Sequence, residues 1–278
     1  MRKHRLIAFF VIAFGLSWGV AAILLLTSSL GTATTPIDRH SLLSFLFFWA
    51  PAVAACLVVG ITQGQSGLTA FFRHVLTGRF KWRWWVAVII GVPLLKLLAY
   101  ALSADGLPFG LQQLLTDSSI ATALILALLE SPVSEIGWRG FALPLLQRRM
   151  NGLIAGVILG AIWAAWYMPW LLPGTVMNWS LGGDSIPSIV RFFGGTIALS
   201  ITMTVIFNGS SGSVPLMFLF RWLNSPPLHW SLGSHLSYLD TVITITTAVV
   251  LIFILRKRYL SRANRYTKVT PGVASGMV

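Results

Sequence analysis

The chain has 278 residues, of which 56% are hydrophobic and only 10% are charged. Soluble domains carry about 25% charged residues, so this composition excludes a soluble globular protein. The net charge is +13. The basic residues flank apolar stretches instead of forming a surface suited to nucleic acid, so we expect no nucleic-acid partner. The single cysteine, Cys56, excludes an intramolecular disulfide and a cysteine metal cluster.

Apolar stretches along the chain predict an all-α fold, a polytopic membrane bundle of about eight spans, since about 20 apolar residues let a helix cross the hydrocarbon core. The first stretch is longer than the apolar part of a typical signal peptide, which favours an uncleaved helix. The seventh is too short to cross alone unless it forms a broken or re-entrant pair with the sixth. The predicted spans are Leu6–Leu26, Leu42–Thr62, Trp84–Leu102, Ser118–Val133, Gly152–Leu171, Arg191–Phe207, Ser213–Leu223 and Tyr238–Leu255.

The chain divides into three predicted parts. Residues 1–117 hold the first transmembrane helices and a cytoplasmic amphipathic segment, 118–225 form a core, and 226–278 hold the last transmembrane helix and a basic tail. The amphipathic segment is Gly64–Trp85, where apolar residues recur at three- and four-residue steps. This spacing predicts a helix lying on the inner leaflet.

Most basic residues fall in alternate segments between the spans, at 2–5, 73–83, 139–149 and 256–268. Lys and Arg accumulate in cytoplasmic segments, so we expect both termini in the cytoplasm and the chain in a bacterial-type inner cell membrane. The anionic inner leaflet is then the expected lipid partner of the basic tail.

Ionisable residues inside membrane segments are costly and suggest a partner or a role. Glu135 and Arg139 are four residues apart and share one helix face. One interpretation is a structural ion pair at a helix end. The other makes the carboxylate a general base that activates water, with the guanidinium orienting it or binding substrate. Lys96 either pairs with Glu130 or extends toward the interface.

A stripe of small residues opens the fifth predicted span. Gly152, Gly156 and Gly160 recur every four residues, and such spacing lets a neighbouring helix approach closely. The same span ends in the aromatic run Trp163-Ala164-Ala165-Trp166-Tyr167-Met168-Pro169. The stripe predicts packing and no chemistry of its own.

Together, the segment Ser134-Glu135-Ile136-Gly137-Trp138-Arg139-Gly140 and the Trp-rich run resemble the intramembrane metalloproteases that include CAAX prenyl proteases and bacteriocin-processing enzymes. The resemblance covers about Ser118 to Ser225. It implies three signatures: a glutamate pair with an arginine four residues on, an aromatic with a histidine four on, and a histidine with asparagine or aspartate four on. In active members these acidic and histidine positions would hold a divalent metal such as zinc and activate water to cleave a peptide bond.

The present chain departs from those signatures at most ligand positions. Tyrosine is a weak metal ligand, since its phenol is normally protonated at neutral pH. A permanently charged guanidinium repels a metal ion and could instead pair with a glutamate. The glutamate and arginine positions hold Ser134, Glu135 and Arg139; the aromatic and histidine positions hold Trp163 and Tyr167; the third signature falls on Arg221 and Ser225.

The resemblance and the departures lead to three hypotheses. The first is a family member that is catalytically impaired, binds no metal cofactor, and binds a membrane peptide or protein partner in the former substrate cavity. The second is an active intramembrane metalloendopeptidase, of the CAAX type or a bacteriocin-processing or self-immunity type, with Glu135 and Arg139 catalytic and Glu130 and Glu135 as metal ligands. The third is a small transporter, suggested by the charges within spans and a broken helix near Asn208.

Overall fold

The computed structural model describes residues 4–29, 42–77, 80–102, 125, 128–129, 132–172, 186–224 and 235–261. These residues form helices and turns without a β-strand, which confirms the predicted all-α class. The helices are α1 Arg5–Ser29, α2 Leu42–Leu76, α3 Trp82–Leu102, α4 Ser134–Gly137, α5 Leu143–Gln147, α6 Gly152–Trp166, α7 Ile186–Gly209, α8 Val214–Leu223 and α9 His235–Leu255. A π-helical turn, Trp138–Ala142, joins α4 to α5, and a second, Arg256–Leu260, follows α9.

Five of the described helices are long and apolar enough to cross a membrane, as a helical membrane bundle requires. They correspond to the first, second, third, sixth and eighth predicted spans. The predicted fourth span, Ser118–Val133, lies almost entirely outside the described residues. The fifth and seventh spans form the shorter apolar helices α6 and α8, so neither crosses the hydrocarbon core by its own length.

Helix α6 ends earlier than the sequence predicted. It begins at an Asn151 cap, whose side-chain oxygen accepts a hydrogen bond of 2.9 Å from the backbone N–H of Ile154. It ends at Trp166 instead of Leu171, and the 3₁₀ turn Met168–Leu171 follows. The difference follows from Pro169, because proline lacks the N–H that would continue the α-helical hydrogen-bond ladder.

The predicted amphipathic segment is continuous with the second span. Helix α2 bends at Gly64, whose φ of 69° and ψ of −163° are tolerated by glycine because it has no Cβ. Beyond the bend, Phe71 and Val75 are buried. Phe71 lies edge-on against Phe141 at a ring-centroid distance of 6.3 Å. The apolar stripe therefore packs on the protein core at least as much as on lipid.

Helices α6 and α7 pack at very short range along the small-residue stripe. A Cβ atom added to Gly160 would lie 2.7 Å from the Cα atom of Ile197 and 2.9 Å from the Cβ atom of Ser200. At Gly156 the added atom would lie 3.0 Å from the hydroxyl oxygen of Thr204. The absence of side chains on α6 thus lets the backbone of α7 fill the groove.

A tight turn between α7 and α8 reverses the chain. The N–H of Gly212, at φ +82°, donates to the carbonyl of Phe207 at 2.8 Å. Ser213 then caps α8 by accepting from the N–H of Leu216 at 3.4 Å. The turn brings the buried Arg221 of α8 back toward the middle of the bundle.

Lys96 has a partner that the sequence analysis did not predict. Its ammonium nitrogen lies 2.5 Å from a carboxylate oxygen of Asp240, which links α3 to α9. The sequence predicted that Lys96 pairs with Glu130 or extends toward the interface. Helical spacing cannot reveal a pair formed between two distant helices, whereas burial of Lys96 makes such a pairing favourable.

The α6–α7 contact can be tested with two alanine substitutions. Gly160→Ala would force its new methyl group against the backbone of α7, so we expect a clear fall in the melting temperature of the protein in detergent. Gly91→Ala on α3 is the matched control, because nothing lies within 4 Å of the added atom. Its melting temperature should stay unchanged or rise. Equal effects of the two substitutions would contradict the close contact.

Candidate functional site

Glu135 and Arg139 form a buried ion pair in the segment that runs from α4 into the π-helical turn. Neither side chain is exposed, and Nη1 of Arg139 lies 3.0 Å from Oε2 of Glu135. The same nitrogen donates a hydrogen bond of 3.2 Å to Oε1. Gly137 lies directly against α2, since an added Cβ would be 2.3 Å from the carbonyl oxygen of Pro51. The four-residue spacing therefore allows the two side chains to pair. The lack of a side chain at Gly137 allows α4 to pack directly against α2.

Arg221 reaches the same carboxylate from α8. Its Nε atom lies 3.9 Å from Oε1 of Glu135, and its Nη2 atom donates a hydrogen bond of 3.0 Å to the Tyr167 hydroxyl. Arg221 is only 4% exposed. The structure thus brings together Glu135, Tyr167 and Arg221, which are distant along the chain.

Trp163 forms the floor of this cluster. The guanidinium carbon of Arg139 lies 4.6 Å from its ring centroid, and that of Arg221 lies 5.0 Å away. Both distances fall within the range of cation–π attraction, about 6 Å. An indole at this position on α6 therefore helps to hold two like-charged groups close to each other.

Ser200 on α7 is a further member of the cluster that the sequence analysis missed. Its hydroxyl accepts a hydrogen bond of 3.3 Å from Nη2 of Arg139. A serine in the middle of an apolar span carries no distinctive sequence signal. Only the close packing of α7 on Gly160 of α6 makes its position relevant.

The remaining predicted site residues are Glu130, Ser134 and Ser225. Ser134 is buried at the first residue of α4, next to Glu135 in the chain. Glu130 and Ser225 lie outside the described residues. Whether Glu135 and Arg139 are catalytic stays a prediction.

The donors at this site do not suit a divalent metal ion. Such an ion prefers imidazole, thiolate or carboxylate ligands with an open position for water. Within the part of the chain that the structure describes, no group of three or more His, Cys, Asp or Glu side chains lies close enough to hold a metal ion. The one carboxylate in the cluster already faces two guanidiniums, and their positive charge opposes a cation.

Comparison with protein families identifies the region. Residues 116–225 match the family described as Rce1-like, type II CAAX prenyl endopeptidase. The match confirms the resemblance found over Ser118 to Ser225, and it includes the cluster around Glu135. No curated protein matches the chain.

The two arginines should differ in their effect on stability. Arg139→Met removes the closer partner of Glu135, the hydrogen bond to Ser200 and one contact with Trp163. We expect a loss of about 1.5–3 kcal/mol in the free energy of unfolding, as for a lost hydrogen bond to a charged group, because Arg221 still balances the charge of Glu135. Arg221→Met should cost clearly less, since Glu135 keeps its 3.0 Å partner.

Denaturant unfolding of the full chain in detergent would measure these losses. The exposed Arg149 provides the control, because Arg149→Met should leave stability nearly unchanged. If Arg139→Met proved no more costly than Arg149→Met, the buried ion pair would not stabilise the fold.

Proposed function

We propose that this chain, whose residues 116–225 match the Rce1-like membrane protease family, is catalytically impaired. On this proposal it binds a membrane peptide or protein in the cavity that active members use for substrate. The observation that carries the proposal is the position of Arg221, with Nε 3.9 Å from Glu135 Oε1. A fixed monovalent cation thus stands beside the carboxylate where the resemblance implies a metal-bound water.

Activation of water by Glu135 would require a free carboxylate oxygen facing the substrate. Arg139 Nη1 lies within 3.2 Å of both oxygens, and Arg221 approaches Oε1 from the other helix. A general base must lie within hydrogen-bond reach of the proton that it removes. Oε2 accepts no hydrogen bond in the described structure but lies 3.0 Å from Nη1 of Arg139, and Oε1 faces both arginines. Glu135 is therefore better suited to holding the helices together.

The active-protease alternative depends on ligands that the cluster does not supply. It would need Glu135 to hold a metal together with Glu130 or other donors. Tyr167 instead accepts a hydrogen bond from Arg221, and so its oxygen is engaged by the same guanidinium. The transporter alternative depended on the charges within spans and on a broken helix near Asn208, and one of those charges, Lys96, is paired with Asp240. The structural ion pair accounts for both residues without a transport path.

For the orientation of this multi-pass protein, we propose both termini on the cytoplasmic side of a cell membrane. The exposed Arg256, Lys257 and Arg258 follow directly on the last membrane helix. Basic residues at such a position are attracted to anionic lipid by about 1 kcal/mol each. The inner leaflet is therefore the proposed lipid partner of this end of the chain.

Restoring the family's ligands is the sharpest test of the proposed loss of metal. The triple variant Ser134→Glu, Tyr167→His and Arg221→His supplies one more carboxylate and two imidazoles around Glu135. We expect the wild-type protein, purified in detergent and dialysed with zinc, to hold no stoichiometric zinc by mass spectrometry. The triple variant should gain zinc, because imidazole and carboxylate are the donors that zinc prefers.

The matched control adds Glu135→Ala to the triple variant, which should lower zinc binding again. The proposal would be wrong if wild-type protein held stoichiometric zinc and cleaved membrane peptides in a manner abolished by chelators and by Glu135→Ala.

A further inference from the structure

The buried cluster contains more positive than negative charge. Arg139 and Arg221 are 0% and 4% exposed, and each is within 4 Å of Glu135. Among the described residues, Glu135 is the one carboxylate at ion-pair distance from either guanidinium. With both arginines charged and Glu135 ionised, the cluster carries one excess positive charge. An uncompensated buried charge is costly, so this arrangement calls for an anion.

Unpaired hydrogen-bond donors in the cluster also indicate a site for an anion. Nε of Arg139, Nε of Arg221 and Nε1 of Trp163 are buried and have no hydrogen-bond acceptor in the described structure. Both arginines lie over the Trp163 ring, so the three donors belong to one cluster. A buried donor without an acceptor costs about 1–3 kcal/mol, more when it is charged. An anion supplies acceptor oxygens and opposite charge together.

We infer that Arg139, Arg221 and Trp163 form a binding site for a monovalent anion of the carboxylate type. The inference rests on the proposed function, since it names the ligand chemistry of the same cluster once no metal is held there. A planar carboxylate suits guanidinium donors, which present their N–H groups in a flat fork. One negative charge balances the excess, whereas a doubly charged phosphate would exceed it.

Other groups in the cluster do not replace this anion. The Trp163 ring attracts both guanidiniums through its π-electrons but offers no acceptor to their Nε–H groups. The hydroxyls of Tyr167 and Ser200 each accept from one arginine, and both are neutral. These hydroxyls accept one hydrogen bond from each arginine but do not balance the excess positive charge of the cluster.

Two sources could supply such a carboxylate. One is a small anion from the aqueous phase, and the other is the terminal carboxylate of a membrane peptide. Both present the same group to the cluster, so the site is defined by the carboxylate itself. Formate, the smallest carboxylate, is the probe that tests the site without regard to source.

The test is thermal unfolding of the full chain in a neutral detergent, with sodium formate exchanged for sodium gluconate at constant ionic strength. Gluconate carries five hydroxyl groups, so removing its water to enter an apolar helix bundle costs far more free energy than it does for formate. A ligand that binds only the folded state raises the melting temperature with its concentration. We expect a formate-dependent rise for the wild-type protein and an equal rise for the exposed-site control Arg149→Met.

Two charge variants should respond in opposite directions. Arg221→Met makes the cluster neutral, so the formate-dependent rise should disappear. Glu135→Gln adds a second uncompensated charge and should tighten formate binding by about tenfold or more, given the strength of charge interactions at short range. Should Arg221→Met fail to fold, Arg221→Lys keeps the charge and should retain a formate-dependent rise. A general salt effect would act on all variants alike and would overturn the site.

A second arm of the experiment distinguishes the sources. A short apolar peptide with a free C-terminal carboxylate is compared with the same peptide carrying a C-terminal amide. If the acid alone competes with formate, the ligand is a peptide terminus; if neither competes, it is a free anion, and both results uphold the site. A zinc-free wild-type protein that shows no formate response would overturn this inference alone, whereas stoichiometric zinc would overturn the proposed function.

Discussion

A carboxylate buried inside a helical membrane protein must be paired, because an isolated buried charge costs several kcal/mol even after the surroundings relax. Glu135 meets this constraint with Arg139, one helical turn on, and with Arg221 from α8. Both guanidiniums lie over Trp163 of α6. This cluster restricts how the segment after α4 packs against α6 and α8. Each of the three places one charged or aromatic side chain in the same cluster.

Two replacements relative to the family signatures balance each other in charge. Where the resemblance implies a first glutamate, this chain has the neutral Ser134, which removes one negative charge. Where it implies a histidine and a divalent ion, this chain has Arg221, whose single positive charge is one fewer than that of the ion. Either replacement alone would leave the buried site with a different net charge. Their joint presence gives this site the same net charge that the resemblance implies for a metal-bearing one.

The sequence predicted the helices better than their contacts. Hydrophobic length located the five long membrane helices, and the spacing of Glu135 and Arg139 placed them on one face. The approach of Arg221 to Glu135 was inferred from the family resemblance, since residues so far apart share no local pattern. The Lys96–Asp240 pair and the role of Ser200 were missed for the same physical reason. Contacts between helices depend on packing, which periodicity does not encode.

The central claim is that Arg221 acts as the cation partner of Glu135 in place of a metal ion. A double-mutant cycle with Glu135→Gln and Arg221→Met tests it most directly, by the free energy of unfolding of the wild type, both single variants and the double variant. We expect a favourable coupling of about 1–3 kcal/mol, because residues in one charge network do not act independently. In the Glu135→Gln background, Arg221→Met should then cost much less or even stabilise the fold. Additive effects of the two substitutions would contradict the claim.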